Sequence, residues 1–196
     1  MDGDGEDRPE EIKQFIDNLK YHPDKAIVGE RVKRSENIFF KFCYAVHKLL
    51  TFTFTGQSIK FGNYTCLPKF IVEKMVNEKA TWCSFSGSLA KVAKDRASVP
   101  SERGSRYFGP SKMSFMNLVK HSLSIIAVFR INVLIRSIFF LLIYLFLIAQ
   151  NISLITLIPI PIIIVMIIAV FSTSNRENIS EFKNSLTNIN KVENLK

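Results

Sequence analysis

Apolar residues recur at helical spacing from Pro9 to Lys20, where Ile12, Phe15, Ile16 and Leu19 share one face. Pro9 suits a first helical turn, and Asp7 is available as the N-cap. Lys25-Ala26-Ile27-Val28, closed by Gly29, predicts a short strand. Asn37 to Phe54 predicts a longer helix rich in aromatics, Phe61 to Cys66 an extended segment, and Pro68 opens a helix through Val76. The stretch Lys94 to Lys112, with its Ser, Arg, Gly and Pro, reads as an active-site loop or linker. Ser114 to Phe129 sets Leu118, Leu123, Ile125 and Ile126 in a helix with Lys120 and His121, the make-up of a helix at a membrane interface. No repeat of solenoid length is visible.

The pattern then changes. From Ser137 to Asn175, 39 residues carry no charge. As one straight helix they would reach ~58 Å at about 1.5 Å per residue, nearly twice a ~30 Å hydrocarbon core. Two crossings fit better: Ile131 to Ala149 and Ile152 to Phe171, with a turn at Gln150-Asn151. A turn at Pro159 and Pro161 would leave only Ile162 to Phe171 for the second crossing. Arg130 and Arg136 precede the pair, and Arg176 and Lys183 come after it, so the excess of positive charge puts both termini in the cytoplasm. Arg136 lies about a turn inside the first span, close enough to snorkel to the interface. A buried hairpin in a soluble core is the competing reading; ordinary core helices rarely go so long without a charge.

Charge sharpens this division. The chain has 26 Lys and Arg against 17 Asp and Glu among 196 residues. The first eleven residues hold six acids and only Arg8 as a base. Between Arg31 and Arg136 the balance inverts to eighteen bases against five acids. With 47% hydrophobic residues the chain is not a disordered tail. The bases are dispersed and form no recognised module, so nucleic acid is not an expected partner. Cys43, Cys66 and Cys83 are widely spaced and odd in number, as for reduced packing thiols, and His22, His47 and His121 share no metal-ligand spacing. Asn151-Ile152-Ser153 matches a glycosylation sequon, but a tight turn at the bilayer edge is a poor acceptor. The N-terminus has no apolar stretch of the kind a secretory signal needs, which leaves targeting to the hairpin.

Candidate chemistry begins at Asp2-x-Asp4-x-Glu6. Two carboxylates one residue apart on a loop can reach the same hard cation, Mg²⁺ or Mn²⁺, with Glu6 as a third ligand. An acidic tail or an acid-rich helix N-terminus would explain the same residues. An EF-hand is excluded, because no Glu falls at loop position 12.

Motifs further along the chain give these residues a context. Asp2-x-Asp4-x-Glu6-Asp7-x-Pro9-Glu10, Val28-Gly29-Glu30-Arg31-x-x-Arg34, Phe61-Gly62-Asn63-Tyr64 and Arg103-x-x-Arg106-x-x-Gly109-x-Ser111-Lys112 precede an interfacial helix and two spans. In this order they resemble family 2 glycosyltransferases, most closely the membrane-anchored polyprenyl-phosphate sugar transferases. The resemblance implies an α/β chain: a partial Rossmann-like, GT-A type domain (1–112), an interfacial helix (113–130), two transmembrane helices (131–172) and a cytoplasmic tail (173–196). It further implies inverting, metal-dependent transfer of a sugar from a nucleotide-sugar donor to a polyprenyl phosphate or another lipid acceptor at the bilayer. Asp2, Asp4 and Glu6 would hold the metal, and Arg31, Arg34, Arg103, Arg106 and Lys112 would bind phosphate, guanidinium forks matching two oxygens at once. A homo-oligomer is left open.

Two departures stand out. In the family the D-x-D loop comes after the half of the domain that holds base and ribose, whereas here Asp2 directly succeeds Met1, so the chain is expected to be a truncated form. Relatives often carry an acidic residue where Asn63 stands, and an amide cannot deprotonate an acceptor. The catalytic base is therefore unassigned. Trp82 and the Phe-rich helix from Ile38 to Phe54 read as packing rather than as a sugar platform. The alternative function is a non-catalytic membrane protein whose basic cytosolic face binds anionic lipid.

Overall fold

A computed structural model of the chain describes residues 1–32, 38–102, 104, 106, 107, 109, 114–175, 180 and 184. A 3₁₀ turn (Pro9–Glu11) runs into α1 (Ile12–Tyr21), followed by β1 (Ala26–Arg31), α2 (Ile38–Thr55), β2 (Phe61–Cys66) and α3 (Lys69–Asn77). A second 3₁₀ turn (Lys79–Trp82) leads to α4 (Phe85–Val92), β3 (Arg96–Ser101) and α5 (Phe115–Ala127). Three apolar helices come last among the described elements: α6 (Arg130–Ile148), the short α7 (Leu154–Leu157) and α8 (Pro159–Ser174).

The chain is thus mixed α/β, with a small mixed sheet in the order β2-β1-β3. β1 is central, antiparallel to β2 (Ile27 opposite Cys66) and parallel to β3 from Ala26 beside Arg96 to Arg31 beside Ser101. Alternation along β1 divides the core between two faces. Ile27 packs with Phe15 of α1, Tyr64 and Val99 on one side, while Ala26 and Val28 pack with Ile71, Met75 and Leu89 of α3 and α4 on the other.

Three expectations need correction. β1 continues through Gly29 to Arg31, since pairing on both edges carries the extended backbone past the glycine. The expected linker from Lys94 opens instead with β3, whose pairing to β1 supplies what its polar sequence does not advertise. Asp7 does not cap the first helix; Arg8 stands at the N-cap without a side-chain bond, and the Asp7 carboxylate accepts from the Asp2 amide at 2.8 Å. α5 buries Ser124 to Ala127 against α2, α4 and α8 and leaves Phe115 and Met116 exposed.

Arg130–Ile148 and Leu154–Ser174 are each long and apolar enough to cross a membrane. The turn between them falls where the polar pair predicts it, with the Asn151 amide bonded to Ile148 O at 2.8 Å and Ser153 and Thr156 forming a capping box for α7. Pro159 stands at the first turn of α8, where a missing N–H costs nothing, and does not mark the hairpin bend. A seam of Ile126, Ala127, Val133 and Val170 joins this pair to α5, and α5 packs in turn on α4, which lies against β2. Arg136 is held rather than free: its Nη1 donates to Thr53 O at 3.0 Å, and Asn132 Nδ2 reaches Thr55 O at 3.4 Å, so α6 caps the C-terminus of α2.

Candidate functional site

The acidic loop lies across the end of the sheet where β1 and β3 finish. Two backbone bonds fasten it to the segment after β3: Gly104 N to Glu6 O at 2.9 Å and Tyr107 N to Asp4 O at 3.0 Å. This contact is close enough that a Cβ on Gly104 would run into the Gly5 carbonyl oxygen. Side chains complete the clasp. Arg106 donates from Nε to Glu6 Oε1 at 2.7 Å, and its Nη2 lies 3.2 Å from Asp4 Oδ2. The Glu6 amide in turn donates to Asp4 Oδ1 at 3.0 Å. Below them the buried Glu11 accepts from Ser101 Oγ at 2.7 Å and from the Glu102 amide at 3.0 Å.

β2 supplies the third wall. Asn63 Nδ2 reaches Asp2 Oδ1 at 3.5 Å, and the N-terminal ammonium lies at the same distance from Asn63 O. The buried Tyr64 donates its hydroxyl to Arg8 O at 2.5 Å and stacks on Phe15 with ring centroids 4.4 Å apart. Burial, and after it the carboxylates of Glu11, Asp7 and Glu10, push its phenol up to about 12. Tyr64 therefore keeps its proton and is a structural donor rather than a base. A folded pKa above the ordinary 10.0 means that the stability it lends is full below pH 10 and is lost as pH rises toward 12. Ultraviolet titration should show one late-ionising phenol that Tyr64→Phe removes; a Tyr64→Phe profile identical to the parent's would contradict this.

Of the expected site residues, Asp2, Asp4, Glu6, Asn63 and Arg106 come together here. Arg31 ends β1 beside Ser101, at the same end of the sheet, with only its backbone described. Arg34, Arg103 and Lys112 lie outside the described residues. Asp4 and Glu6 offer hard oxygens to a single cation, the role the Arg106 guanidinium fills, while Asp2 turns to Asn63. Among the described residues no group of three or more His, Cys, Asp or Glu is gathered as a metal would need. Glu11, Tyr64, Gly104 and Tyr107 were not expected. A buried carboxylate next to a helix start and a backbone contact at glycine leave no periodic trace in a sequence.

No protein-family model, curated protein or solved structure matches the chain.

Proposed function

We propose that this chain is a glycosyltransferase-like membrane protein, transferring a sugar from a nucleotide-sugar to polyprenyl phosphate or a related lipid or glycan precursor, with both termini cytoplasmic. One observation carries the reading: the D-x-D loop, the Asn63 strand and the Arg106 segment, up to a hundred residues apart in the chain, meet at one end of the sheet. Acidic and guanidinium groups side by side suit a metal-bound diphosphate, whose two components they would divide. A divalent ion, when bound, supplies charge that neutralises the leaving diphosphate. Asp4 and Glu6 would hold it, with Asp2 rotating from Asn63 to complete the set. Arg106, released by the carboxylates, would take the phosphate oxygens.

The absence of a base among Asn63 and Tyr64 narrows the acceptor. A phosphate arrives already ionised, so its oxygen can attack the anomeric carbon as the bond to the diphosphate breaks with inversion, and no proton has to be removed. The diphosphate leaves with the bonding electron pair.

Calorimetric titration of the full chain in detergent with GDP, UDP and pyrophosphate, each with Mg²⁺ or Mn²⁺, tests this. Binding should require the metal, and Asp4→Ala should weaken it by at least about tenfold, the equivalent of ~1.4 kcal/mol. Since the clasp residues would contact only the metal and the diphosphate, GDP and UDP should bind alike. Unchanged binding in Asp4→Ala removes the site assignment, and no binding of any probe removes the enzymatic reading. That second result would favour the non-catalytic reading, which draws support from the existing neutralisation of Asp4 and Glu6 by Arg106.

A further inference from the structure

α2 is built the wrong way round for a helix facing water. Phe42, Val46 and Leu49 recur at i, i+4 and i+7 on its outward side, with Phe42 and Leu49 each 65% exposed and Phe52 next along at 57%. Its inward side carries buried hydroxyls beside Phe54. Thr51 and Thr55 are fully buried; Thr55 Oγ1 donates to Thr51 O at 2.6 Å, and Thr51 Oγ1 lies 3.4 Å from His47 Nδ1. An aqueous surface selects the opposite arrangement.

The position of the helix says what covers this face. Arg130, the first residue of α6, bonds Ser174 Oγ, the last residue of α8, at 3.1 Å, which marks one end of the apolar pair. The C-terminus of α2 is tied to α6 at Asn132 and Arg136, the latter six residues past Arg130. At about 1.5 Å per residue that is ~9 Å further along the helix, the depth to which interfacial helices sink. Gly56, with φ +75°, ends α2 in a left-handed turn that seats Arg136 against it. Exposed Lys41 and Lys48 border the apolar face, where they can extend to anionic headgroups.

We infer that α2 is a monotopic membrane element: its Phe42-Val46-Leu49-Phe52 face lies among the headgroups and upper acyl chains of an anionic bilayer. Together with the two spans it gives the protein a third, non-crossing attachment that fixes the orientation of the sheet over the membrane. This rests on the two-span reading and is independent of sugar transfer.

The test places a tryptophan at Leu49 or at Phe42 in the full chain, reconstituted in vesicles of brominated phosphatidylcholine and phosphatidylglycerol. The Trp82 signal is measured in the parent and subtracted. Leu142→Trp, on the exposed face of α6, reports the span, and Asp17→Trp on α1 reports the water-facing domain. Leu49→Trp and Phe42→Trp should be quenched several-fold more than Asp17→Trp and approach Leu142→Trp. Quenching at 142 without quenching at 49 and 42 overturns the inference and leaves the spans intact. Blue-shifted but unquenched emission at 49 reports cover by protein, such as a second copy of this chain, and also overturns it. Failure at 142 itself removes the two-span reading and this inference with it.

Discussion

Phe15→Ala should lower the unfolding free energy of the sheet-bearing part by about 3–5 kcal/mol, among the largest effects of any single truncation in the chain. Phe15 is 2% exposed and fills the face of the sheet formed by Ile27, Tyr64 and Val99. Its loss opens a cavity that a three-stranded sheet has little freedom to collapse into. The damage should reach the clasp, because the Tyr64 ring that stacks on Phe15 carries the hydroxyl bonded to Arg8 O. Denaturant unfolding in detergent, followed by circular dichroism, measures the change. Ile16→Ala, at a position 45% exposed, is the control and should stay within about 0.5 kcal/mol of the parent. Equal midpoints for Phe15→Ala and Ile16→Ala would dismiss the cluster as a source of stability.

Gly104→Val should open the clasp while leaving the sheet folded. The obstacle to a side chain there is the Gly5 carbonyl oxygen, a backbone atom with no rotamer to retreat into. Relief requires the two loops to part, at a cost of about 1–3 kcal/mol for overpacking. Parting breaks the bonds from Gly104 N and Tyr107 N and separates Arg106 from Asp4 and Glu6. Hydrogen exchange at the Tyr107 amide should accelerate by about tenfold or more, while the Ile27 amide in β1 keeps its protection. Native protection at Tyr107 in the valine variant would mean that the contact is not limiting.

Where the sequence was readable, the reason is local. Phe61 to Cys66 is a strand to the residue, and the uncharged run divides into its two helices at the polar pair Gln150-Asn151, because length, branching and charge act there without help from distant chain. β3 was hidden for the opposite reason. Arg96-Ala97-Ser98-Val99-Pro100-Ser101 offers only Val99 as a large buried apolar residue, and it is extended because β1 lies beside it. Pro100 is tolerated there because β3 sits at the sheet edge. α4 was missed because its buried face is small, with Ser86, Gly87, Ser88 and Ala90 in place of the branched residues that reveal a helical period. At the site, the sequence marked Asp2, Asp4, Glu6, Asn63 and Arg106 as chemistry. It could not reveal that Arg106 and the two carboxylates satisfy one another, since that pairing spans about a hundred residues.

The same span sets an order of events in folding. A link between Glu6 and Arg106 closes a ring of about a hundred residues, and the closure entropy grows as ~(3/2)RT ln n. A few hydrogen bonds between loops cannot offset that until the strands inside the ring have brought its ends near each other. The parallel pairing of β1 with β3 does so, carrying Arg31 and Ser101 to the place where the acidic loop begins its descent into α1. The clasp is therefore expected to form only after β1 and β3 have paired. A nascent chain has no assembled clasp until β3 has emerged, by which time β1 and β2 are already made.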